Sequence, residues 1–493
     1  MREFIEQMRE RSLVVDVDER PPGEFDAPKM ASTTDSLLFF HDLPGGRAIM
    51  NVTATRKALS LALGLGEREI GMKLSKASYD GSVVREGSLS MRPADLSRIP
   101  AMKFFPKDAG KYLTAGIVFS GYGGVENASI HRMLVLDQER VAARLVEGRH
   151  TYTLHREALA RGEELPVAVA IGVHPAVTFA SCSRVPKGKE LPFAAELLGG
   201  EVRVHQCSNG VLVPEAEIVL EGYIGSDTAR EGPFVDITGT YDSVRVQPVI
   251  RFTGMHTKND CIYHSILPGG NEHRILMGVP YEPIIFRAVS AVTEARNVVL
   301  TTGGCGYFHA VVQIKKSTQG DAKNAIMAAF AAHTSLKHVV VVDEDVDPSD
   351  PAEVEFALAT RVRGDRDIMV VTGARGSSLD PCRAGDGTNV KVGVDATMVL
   401  GHEAEFRRLM NTLLETGAPP ADFGNCDYVL HGHTHLLALA RVGTVRVLNP
   451  GALHRAMTHT VATLDLRTDA VEFWEVRDEH PDGEPIPYRT RRR

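Results

Sequence analysis

The sequence predicts a mixed α/β protein of several domains, with a β-rich middle and a smaller α/β segment after it. Its 493 residues exceed what one small hydrophobic core can organise. Between about 105 and 300, short apolar runs are separated by Gly, Pro, Asn and Asp, a pattern typical of strands and turns. From about 300 onward, strand-like and helix-like segments alternate, which favours a domain with a central sheet.

The first two predicted domains are residues 1–104 and 105–300. In the first, "LLFFHDLPGGRAIMNVTA" predicts two buried strands separated by a Pro-Gly-Gly turn. The second contains the strand-like runs "HRMLVLD", "PVAVAIGV", "EVRVHQC" and "AEIVLEGYI". Successive runs of this kind favour a barrel or packed sheets over a doubly wound fold.

Residues 301–410 form the third predicted domain. The strand "FHAVVQIKK" is followed by the helix-like "GDAKNAIMAAFAAH" and by the strand "LKHVVVVDEDVD". Near residue 410, "NTLLETGAPPADFGN" has the Gly, Pro and Asn content of a linker. Residues 411–493 are therefore expected to form a separate, β-rich tail.

Composition and charge exclude several classes of protein. A net charge of −8 gives no reason to expect a nucleic-acid partner, and the terminal "RTRRR" is expected to be a solvated tail. Six cysteines without a CxxC pair indicate a reduced, intracellular protein. No signal peptide is recognisable, and no uncharged apolar run approaches the roughly 20 residues of a membrane span. We therefore expect a cytoplasmic protein without a membrane partner.

Familiar catalytic motifs are missing from the sequence. No Gly-x-Gly-x-x-Gly opens a βαβ unit, and no Walker loop, Gly-x-Ser-x-Gly elbow or HExxH helix occurs. By contrast, "REGPFVDITGT" places Glu231 and Asp236 around a Gly-Pro turn in an apolar stretch. A carboxylate in such surroundings must be paired, bound to a ligand or used in chemistry.

Upstream polar residues offer partners for these two acids. Asn127, His150 and Glu190 together form a mostly hard ligand set suited to Mn²⁺ or Mg²⁺. Arg132, beside two carboxylates, can bind an anionic substrate while the acids transfer protons. Buried ion pairs of purely structural function remain an alternative at this stage.

Residues 1 to about 410 resemble the UbiD family of reversible decarboxylases, which use prenylated flavin mononucleotide (FMN). The resemblance rests on ordered segments that include "ENASIHR", "LPVAVAIGVHPA", "VPEAEIVLEG", "EGPFVDITGTYD", "CIYHSILPGG", "GGCGYFHAVVQIKK" and "KVGVDAT". It implies a split β-barrel that binds the flavin and a C-terminal α/β oligomerisation domain. It also implies a homodimer or homohexamer and a flavin prenyltransferase that supplies the cofactor.

The resemblance also assigns roles to single residues. The catalytic trio would be Arg132, Glu231 and Asp236, with Asp236 delivering the proton that replaces carbon dioxide. The ion that ties the flavin phosphate to the protein, Mn²⁺ with Mg²⁺ as the alternative, would bind Asn127, His150 and Glu190, and K⁺ would be an additional ion. The cofactor-binding positions would be Asn127, Ile130, His131, Arg132, Arg144, Leu145, Val146, Arg149, His150, Glu190 and Lys391. Relatives often have Gly where this chain has Val235, which indicates a subgroup difference near the pocket.

Segments such as "PGGNEHRILMGVP" and "GARGSSLDP" look most like archaeal members of the family. The resemblance then implies decarboxylation of an α,β-unsaturated acid, trans-anhydromevalonate 5-phosphate, to isopentenyl phosphate in isoprenoid synthesis. The alternative is an aromatic or arylacrylic acid, including the 4-hydroxy-3-polyprenylbenzoate of quinone synthesis. The sequence does not indicate which residues would bind the substrate phosphate.

The tail carries a second resemblance. "CDYVLHGHTHLLALARVGTVRVLNPGALHR" is similar to the C-terminal end of calcineurin-like metallophosphoesterases, whose Gly-His-x-His turn supplies two metal ligands. Those ligands would be His433 and His435. The remaining ligands of such a dimetal site are missing upstream, so we expect a truncated fragment without phosphodiesterase activity.

Overall fold

The computed structural model describes residues 1–406 and, beyond them, only the strands at 428–430, 437–442, 445–450, 459–465, 470–476 and 486–487. The chain divides into two compact units, Met1–Leu400 and Gly401–Arg493, which are described separately. The described helices of the first unit are α1 (Arg2–Arg9), α2 (Asp26–Thr33), α3 (Arg56–Leu63), α4 (Ile70–Ser75), α5 (His150–Ala160), α6 (Pro175–Cys182), α7 (Glu190–Leu197), α8 (Asn271–Gly278), α9 (Glu282–Ser290), α10 (Asp321–Ala332) and α11 (Pro351–Arg361). None of the helices described is long and apolar enough to cross a membrane.

The strands of the first unit outnumber its helices. They are β1 (Val14–Val17), β2 (Leu37–Leu43), β3 (Gly46–Met50), β4 (Ser82–Ser88), β5 (Tyr112–Leu113), β6 (Ile117–Tyr122), β7 (Val125–Ile130), β8 (Met133–Val135), β9 (Arg140–Ala143), β10 (Leu165–Ile171), β11 (Glu201–Gln206), β12 (Leu212–Pro214), β13 (Ile218–Glu231), β14 (Phe234–Val235), β15 (Tyr241–Asp242), β16 (Arg245–Thr257), β17 (Ile262–His264), β18 (Glu294–Leu300), β19 (His309–Lys315), β20 (His338–Val342), β21 (Ile368–Arg375) and β22 (Thr388–Asp395). The mixed α/β class predicted from the sequence is confirmed.

The N-terminal sheet has the strand order β1-β2-β3-β17. The predicted pair of buried strands is confirmed as the antiparallel hairpin β2–β3. Strand β17 joins in parallel beside β3, although more than 200 residues separate the two in sequence. Local signals fix the neighbouring helix α3: the side chain of Thr55 caps its first turn, and Gly64 ends it in the left-handed conformation at φ 63°.

An eight-stranded antiparallel sheet forms the middle of the protein, in the order β5-β8-β9-β16-β13-β10-β6-β7. Strand β10 shows that both faces of this sheet are covered. Its odd-numbered apolar residues, such as Val167 and Val169, belong to a core that includes Leu154 of α5. Its alternate residues Ala168 and Ala170 belong to a second core that contains the buried faces of α6 and α7. A smaller sheet, β12-β11-β4, flanks the large one.

The C-terminal sheet of the first unit has the order β18-β19-β20-β22-β21. Strands β19, β20 and β22 are parallel, whereas β18 and β21 are antiparallel edges. Apolar residues of α9 and α10 cover one face, and those of α11 cover the other. This arrangement confirms the predicted strand–helix–strand segment.

Six strands are described in the second unit. They are β23 (Tyr428–Leu430), β24 (Leu437–Val442), β25 (Val445–Pro450), β26 (His459–Asp465), β27 (Ala470–Val476) and β28 (Ile486–Pro487). They pair as two three-stranded sheets, β23-β25-β24 and β26-β27-β28. His433 and His435 lie outside the described residues, so their predicted metal-binding role stays a prediction.

Candidate active site

Arg132, Glu231 and Asp236 meet in the structure as the sequence predicts. Arg132 lies between β7 and β8, and Glu231 is the last residue of β13. The guanidinium donates from Nε to Oε1 and from Nη2 to Oε2 of Glu231, each at 3.0 Å. Its Nη1 donates to Oδ2 of Asp236 at 3.3 Å. One cation therefore contacts both predicted catalytic acids.

The carboxylate of Glu231 is completely buried, and its surroundings keep it in place. The Tyr112 hydroxyl donates to Oε1 at 3.2 Å and accepts a hydrogen bond from the Gly232 backbone N–H at 3.2 Å. The ring of Phe234 lies 5.0 Å from the guanidinium carbon of Arg132. Burial and the charge of Glu231 raise the pKa of Tyr112, which keeps its hydroxyl protonated as a donor. Burial by itself would lower the pKa of Arg132. The hydrogen bonds and the charge of Glu231 outweigh this effect, so the pKa of Arg132 is raised.

Asp242 is a member of this cluster that the sequence did not single out. Its Oδ2 accepts from Arg132 Nη2 at 3.0 Å and from Arg245 Nη1 at 2.6 Å. Burial alone would raise the pKa of Asp242, but the hydrogen bond from Arg245 and the charge of Arg132 lower it. Sequence reasoning missed Asp242 because its position depends on the small hairpin β14–β15, which pairs Asp242 with Phe234.

Asp236 occupies the turn of that hairpin and is more accessible than Glu231. Its backbone N–H donates to the Thr240 carbonyl, and its Oδ1 accepts from the Ile237 N–H at 2.7 Å. Its side chain is 19% exposed, against 0% for Glu231. Helix α8 lies beside the turn, because Arg274 Nε donates to the Ile237 carbonyl at 3.4 Å. An accessible acid next to a fixed arginine can transfer a proton to a bound molecule.

A separate cavity of about 180 Å³ contains two of the three predicted metal ligands, Asn127 and Glu190. The Asn127 amide nitrogen donates to Thr151 Oγ1 at 2.9 Å, so its oxygen is available as a ligand. The third predicted ligand, His150, has Nδ1 3.6 Å from Glu190 Oε1. Oγ of Ser120, which also lines the cavity, is buried without a hydrogen-bond partner among the described residues.

The electrostatics of this cavity fit a divalent cation. Burial, reinforced by the charge of nearby Glu126, raises the pKa of Glu190 to about 7. A bound cation would stabilise the ionised form, and amide and carboxylate oxygens are the ligands that Mn²⁺ and Mg²⁺ prefer. Within the described residues no three His, Cys, Asp or Glu side chains form a metal cluster. The predicted metal site, with His150 and Glu190, therefore depends on the amide of Asn127 for its third ligand. Glu126 also lines the cavity and was missed by sequence reasoning.

His131 precedes Arg132 in the chain, and its ring lies beside Thr151, a neighbour of the cavity residue Asn127. Its Nδ1 lies 2.8 Å from the Arg144 carbonyl and must donate to it. Its Nε2 then accepts from the hydroxyls of Ser129 or Thr151, at 2.9 and 3.1 Å. Burial lowers the pKa of His131 to about 4, so the ring is neutral near pH 7. The neutral ring thereby fixes Thr151, which contacts Asn127.

The remaining predicted cofactor residues lie along the connection from β7 to α5. Leu145 is buried and its N–H donates to the Gln247 side chain at 2.9 Å. Arg144 is half-buried, and burial together with the charges of Arg245 and Arg132 lowers its pKa. Val146 and Arg149 are exposed, whereas Ile130 packs against a small apolar cluster.

Lys391 lies in a different part of the unit. It is on β22, and its Nζ donates to the carbonyls of Thr334, at 2.7 Å, and Leu336. It also lies 5.3 Å from the centre of the Phe330 ring. Burial lowers its pKa. Its described partners all belong to the C-terminal domain, and its predicted role with the flavin phosphate stays a prediction.

The matches of this chain to known families identify the class of enzyme to which it belongs. Three family models match consecutive parts of the chain: the N-terminal domain (residues 5–78), the Rift-related domain (77–271) and the C-terminal domain (274–396) of 3-octaprenyl-4-hydroxybenzoate carboxy-lyase. The chain therefore belongs to the UbiD family of carboxy-lyases. All three matches end before the tail.

Similar proteins come from archaea and bacteria. Anhydromevalonate phosphate decarboxylase of Methanosarcina mazei is 53% identical over 413 residues, which is 83% of this chain and 98% of the relative. The enzyme of the same name from Archaeoglobus fulgidus is 53% identical over 73% of this chain and 85% of the relative. The solved UbiD-class enzyme HmfF from Pelotomaculum thermopropionicum, in complex with FMN, is 32% identical over 83% of this chain and 96% of its own, with a TM-score of 0.79.

Proposed function

We propose that the protein decarboxylates trans-anhydromevalonate 5-phosphate to isopentenyl phosphate with prenylated FMN as its cofactor. The observation that supports this most directly is the contact of Arg132 with Glu231 and Asp236. The 53% identity to archaeal anhydromevalonate phosphate decarboxylases supports the choice of acid.

The cofactor and its metal ion would be bound around the Asn127 cavity. Asn127, Glu190 and His150 would bind Mn²⁺ or Mg²⁺, with K⁺ as an additional ion, and the ion would hold the flavin phosphate. When bound, prenylated FMN supplies an electron sink for the electron pair left by carbon dioxide. HmfF was solved with FMN, which supports a flavin here. A flavin prenyltransferase would supply the prenylated form.

The protein residues would orient the acid and move one proton. Arg132, held by Glu231, would attract the substrate carboxylate before the carbon–carbon bond breaks. Asp236 would then donate its proton to the carbon that has lost carbon dioxide, forming the new carbon–hydrogen bond. The partial exposure of Asp236 allows it to be protonated again between turnovers.

The direct test uses protein co-produced with a flavin prenyltransferase. Its visible spectrum and the mass of its bound cofactor are recorded first. Carbon dioxide release is then measured with anhydromevalonate phosphate, with cinnamate and with hydroxybenzoates. Turnover of the phosphate ester is the expected result, whereas turnover of aromatic acids alone would contradict the proposed substrate.

An aromatic or arylacrylic acid is the second candidate substrate. The family models that match this chain are described as carboxy-lyases of 3-octaprenyl-4-hydroxybenzoate, which favours it. The same reaction would use the same three residues. A phosphodiesterase activity of the tail would require metal ligands besides His433 and His435, and hydrolysis of a nitrophenyl phosphodiester would reveal it.

We expect the first unit to form a homodimer or homohexamer through its C-terminal sheet. Strand β21 is an edge strand, and its apolar residues Ile368, Val370 and Val371 are exposed. An unpaired edge with exposed apolar side chains is a surface that another chain can cover. The mass in solution, measured by light scattering, should fall when Val370 is replaced by Lys.

A further inference from the structure

The acids of the arginine–carboxylate cluster already engage its two arginines. Arg132 contacts the three carboxylates of Glu231, Asp236 and Asp242, and Arg245 is the second cation, on Asp242. Both arginines are therefore already paired with acids of the cluster before a substrate binds. A substrate that carries both a carboxylate and a phosphate adds further negative charge. Binding it requires another cation close to this cluster.

Arg274 on α8 is a cation in the required position. Its Nε donates to the carbonyl of Ile237, the residue after Asp236, at 3.4 Å. Its side chain forms no ion pair with any acid in the described part of the chain. A half-buried guanidinium without an acidic partner is costly, because a charge removed from water needs a compensating one. An anionic ligand would provide it.

The backbone around α8 holds Arg274 in place. A Cβ on Gly269, just before the helix, would lie 3.1 Å from the Asp236 carbonyl oxygen, so the two segments touch. At the other end, a Cβ on Gly278 would lie 1.9 Å from the Gly306 carbonyl oxygen. The first contact places the start of α8 against Asp236, and the second packs its end against Gly306. The backbone of Arg274 is therefore held beside the turn of Asp236, where its Nε reaches the Ile237 carbonyl.

The residue beside it, His273, is arranged as a neutral donor. Its Nδ1 accepts a hydrogen bond from the Gly269 N–H at 3.1 Å, which places the proton on Nε2. Burial lowers the pKa of His273, and the charges that act on it include those of Asp236, Arg132 and Arg274. His273 is therefore a neutral neighbour of Arg274, and the buried Glu272 beside it contacts His264 and Thr53.

We propose that Arg274 binds the phosphate group of the substrate, while the carboxylate at the other end of the short carbon chain faces Arg132 and Asp236. This assignment rests on the proposed function. The planar guanidinium matches the oxygens of a phosphate in two parallel hydrogen bonds. Arg274 is thus the residue that selects a phosphorylated acid over an unphosphorylated one.

Two other arginines compete for this assignment. Arg144 is also half-buried without an ion pair among the described residues, but its backbone N–H bonds to the Arg132 carbonyl and family resemblance assigns it to the cofactor. Arg184 is exposed and donates to the Tyr281 hydroxyl. Tyr281 packs with Ile237, so Arg184 reaches the same region from farther away.

The experiment compares the flavin-loaded wild type with R274Q, R274K, R184Q and the control R287Q, which changes an exposed arginine on the neighbouring helix α9. The visible spectrum confirms equal cofactor loading. With anhydromevalonate phosphate, R274Q should raise KM about 10- to 100-fold, as expected for the loss of a charge-assisted contact. R274K should recover part of the loss, and R287Q should behave as wild type.

Inorganic phosphate provides a second readout. It should inhibit the wild type competitively and lose this effect in R274Q. A lower kcat with unchanged KM and unchanged phosphate inhibition would show a structural role and overturn the proposal. So would a KM increase in R184Q but not in R274Q. If the wild type decarboxylates only aromatic acids, the proposed function itself fails, and the phosphate assignment fails with it.

Discussion

Arg132 and Glu231 are joined by two parallel hydrogen bonds of 3.0 Å, and the carboxylate in this pair is fully buried. Such a bidentate pair fixes both the position and the plane of the guanidinium. Its third contact, to Asp236, is longer, at 3.3 Å, and the acid is partly exposed. The pair is therefore the fixed part of the site, and Asp236 is the part that can respond to a substrate.

Asp236→Asn is expected to reduce carbon dioxide release at least about 100-fold, because the amide cannot donate the proton that general acid catalysis requires. The flavin should stay bound, as its visible spectrum would show. Asp242→Asn is the matched control: it also removes a carboxylate from Arg132, but Glu231 still holds the guanidinium. Equal activity of D236N and wild type would contradict the assigned role.

Metal binding is expected to depend on pH through Glu190. Its pKa of about 7 lies above its usual value, so the carboxyl is protonated at lower pH and must lose its proton to bind a cation. The affinity for Mn²⁺ should fall up to about tenfold per pH unit below 7 and level off above it. Calorimetric titrations of the flavin-free protein at pH 6 and pH 8 would measure this.

The neighbouring acid offers a graded test of the same site. Glu126→Gln removes a negative charge that raises the pKa of Glu190. The pH at which Mn²⁺ affinity levels off should therefore move downward. Glu190→Gln should abolish the pH dependence together with most of the affinity. A variant E190Q that binds Mn²⁺ as the wild type does would exclude Glu190 as a ligand.

A buried ion pair away from the site should be important for stability. Arg56 donates to both oxygens of Glu282, at 2.7 and 3.0 Å, and Glu282 is fully buried. Arg56→Met should lower the free energy of unfolding by about 3–5 kcal/mol, because it leaves a buried charge unpaired. Arg20→Met breaks the exposed pair with Asp42 and should leave stability unchanged. Equal losses in denaturant titrations would contradict this argument.

Acid should destabilise the protein through His131. Its folded pKa of about 4 lies below the usual 6.5, so the unfolded state takes up a proton first as the pH falls. The stability that neutral His131 contributes is fully present above pH 6.5 and is lost as the pH falls to about 4. The free energy of unfolding should fall by up to about 3 kcal/mol over this range. His131→Gln should therefore flatten the fall in unfolding free energy over that range. An unchanged slope would show that His131 is not the group responsible.

The sequence predicted the features that depend on short, continuous stretches of the chain. The β2–β3 hairpin follows from alternating apolar runs around a turn, and Arg132, Glu231 and Asp236 follow from an ordered family motif. Asp242 was missed because its contact with Arg132 depends on the hairpin register between β14 and β15. Glu126 was missed because its effect on Glu190 arises only once β7 lies beside α7.

Pairing between strands that are distant in the chain could not be predicted from the sequence either. Nothing in the short run Ile262–His264 indicates that it pairs with β3 rather than with its neighbour β16. Likewise, the lack of an acidic partner for Arg274 among the described residues emerges only when α8 packs against the turn of Asp236. These features depend on the three-dimensional arrangement of segments that are distant in the chain.

The parallel pairing of β17 with β3 constrains how the protein is made. During synthesis the ribosome must release residue 264 before the N-terminal sheet can gain its last strand. Until then the backbone N–H and C=O groups along this edge of β3 lack their partners in β17. Nascent chains therefore pass through a long interval in which this edge can pair wrongly, and slow folding is the expected consequence.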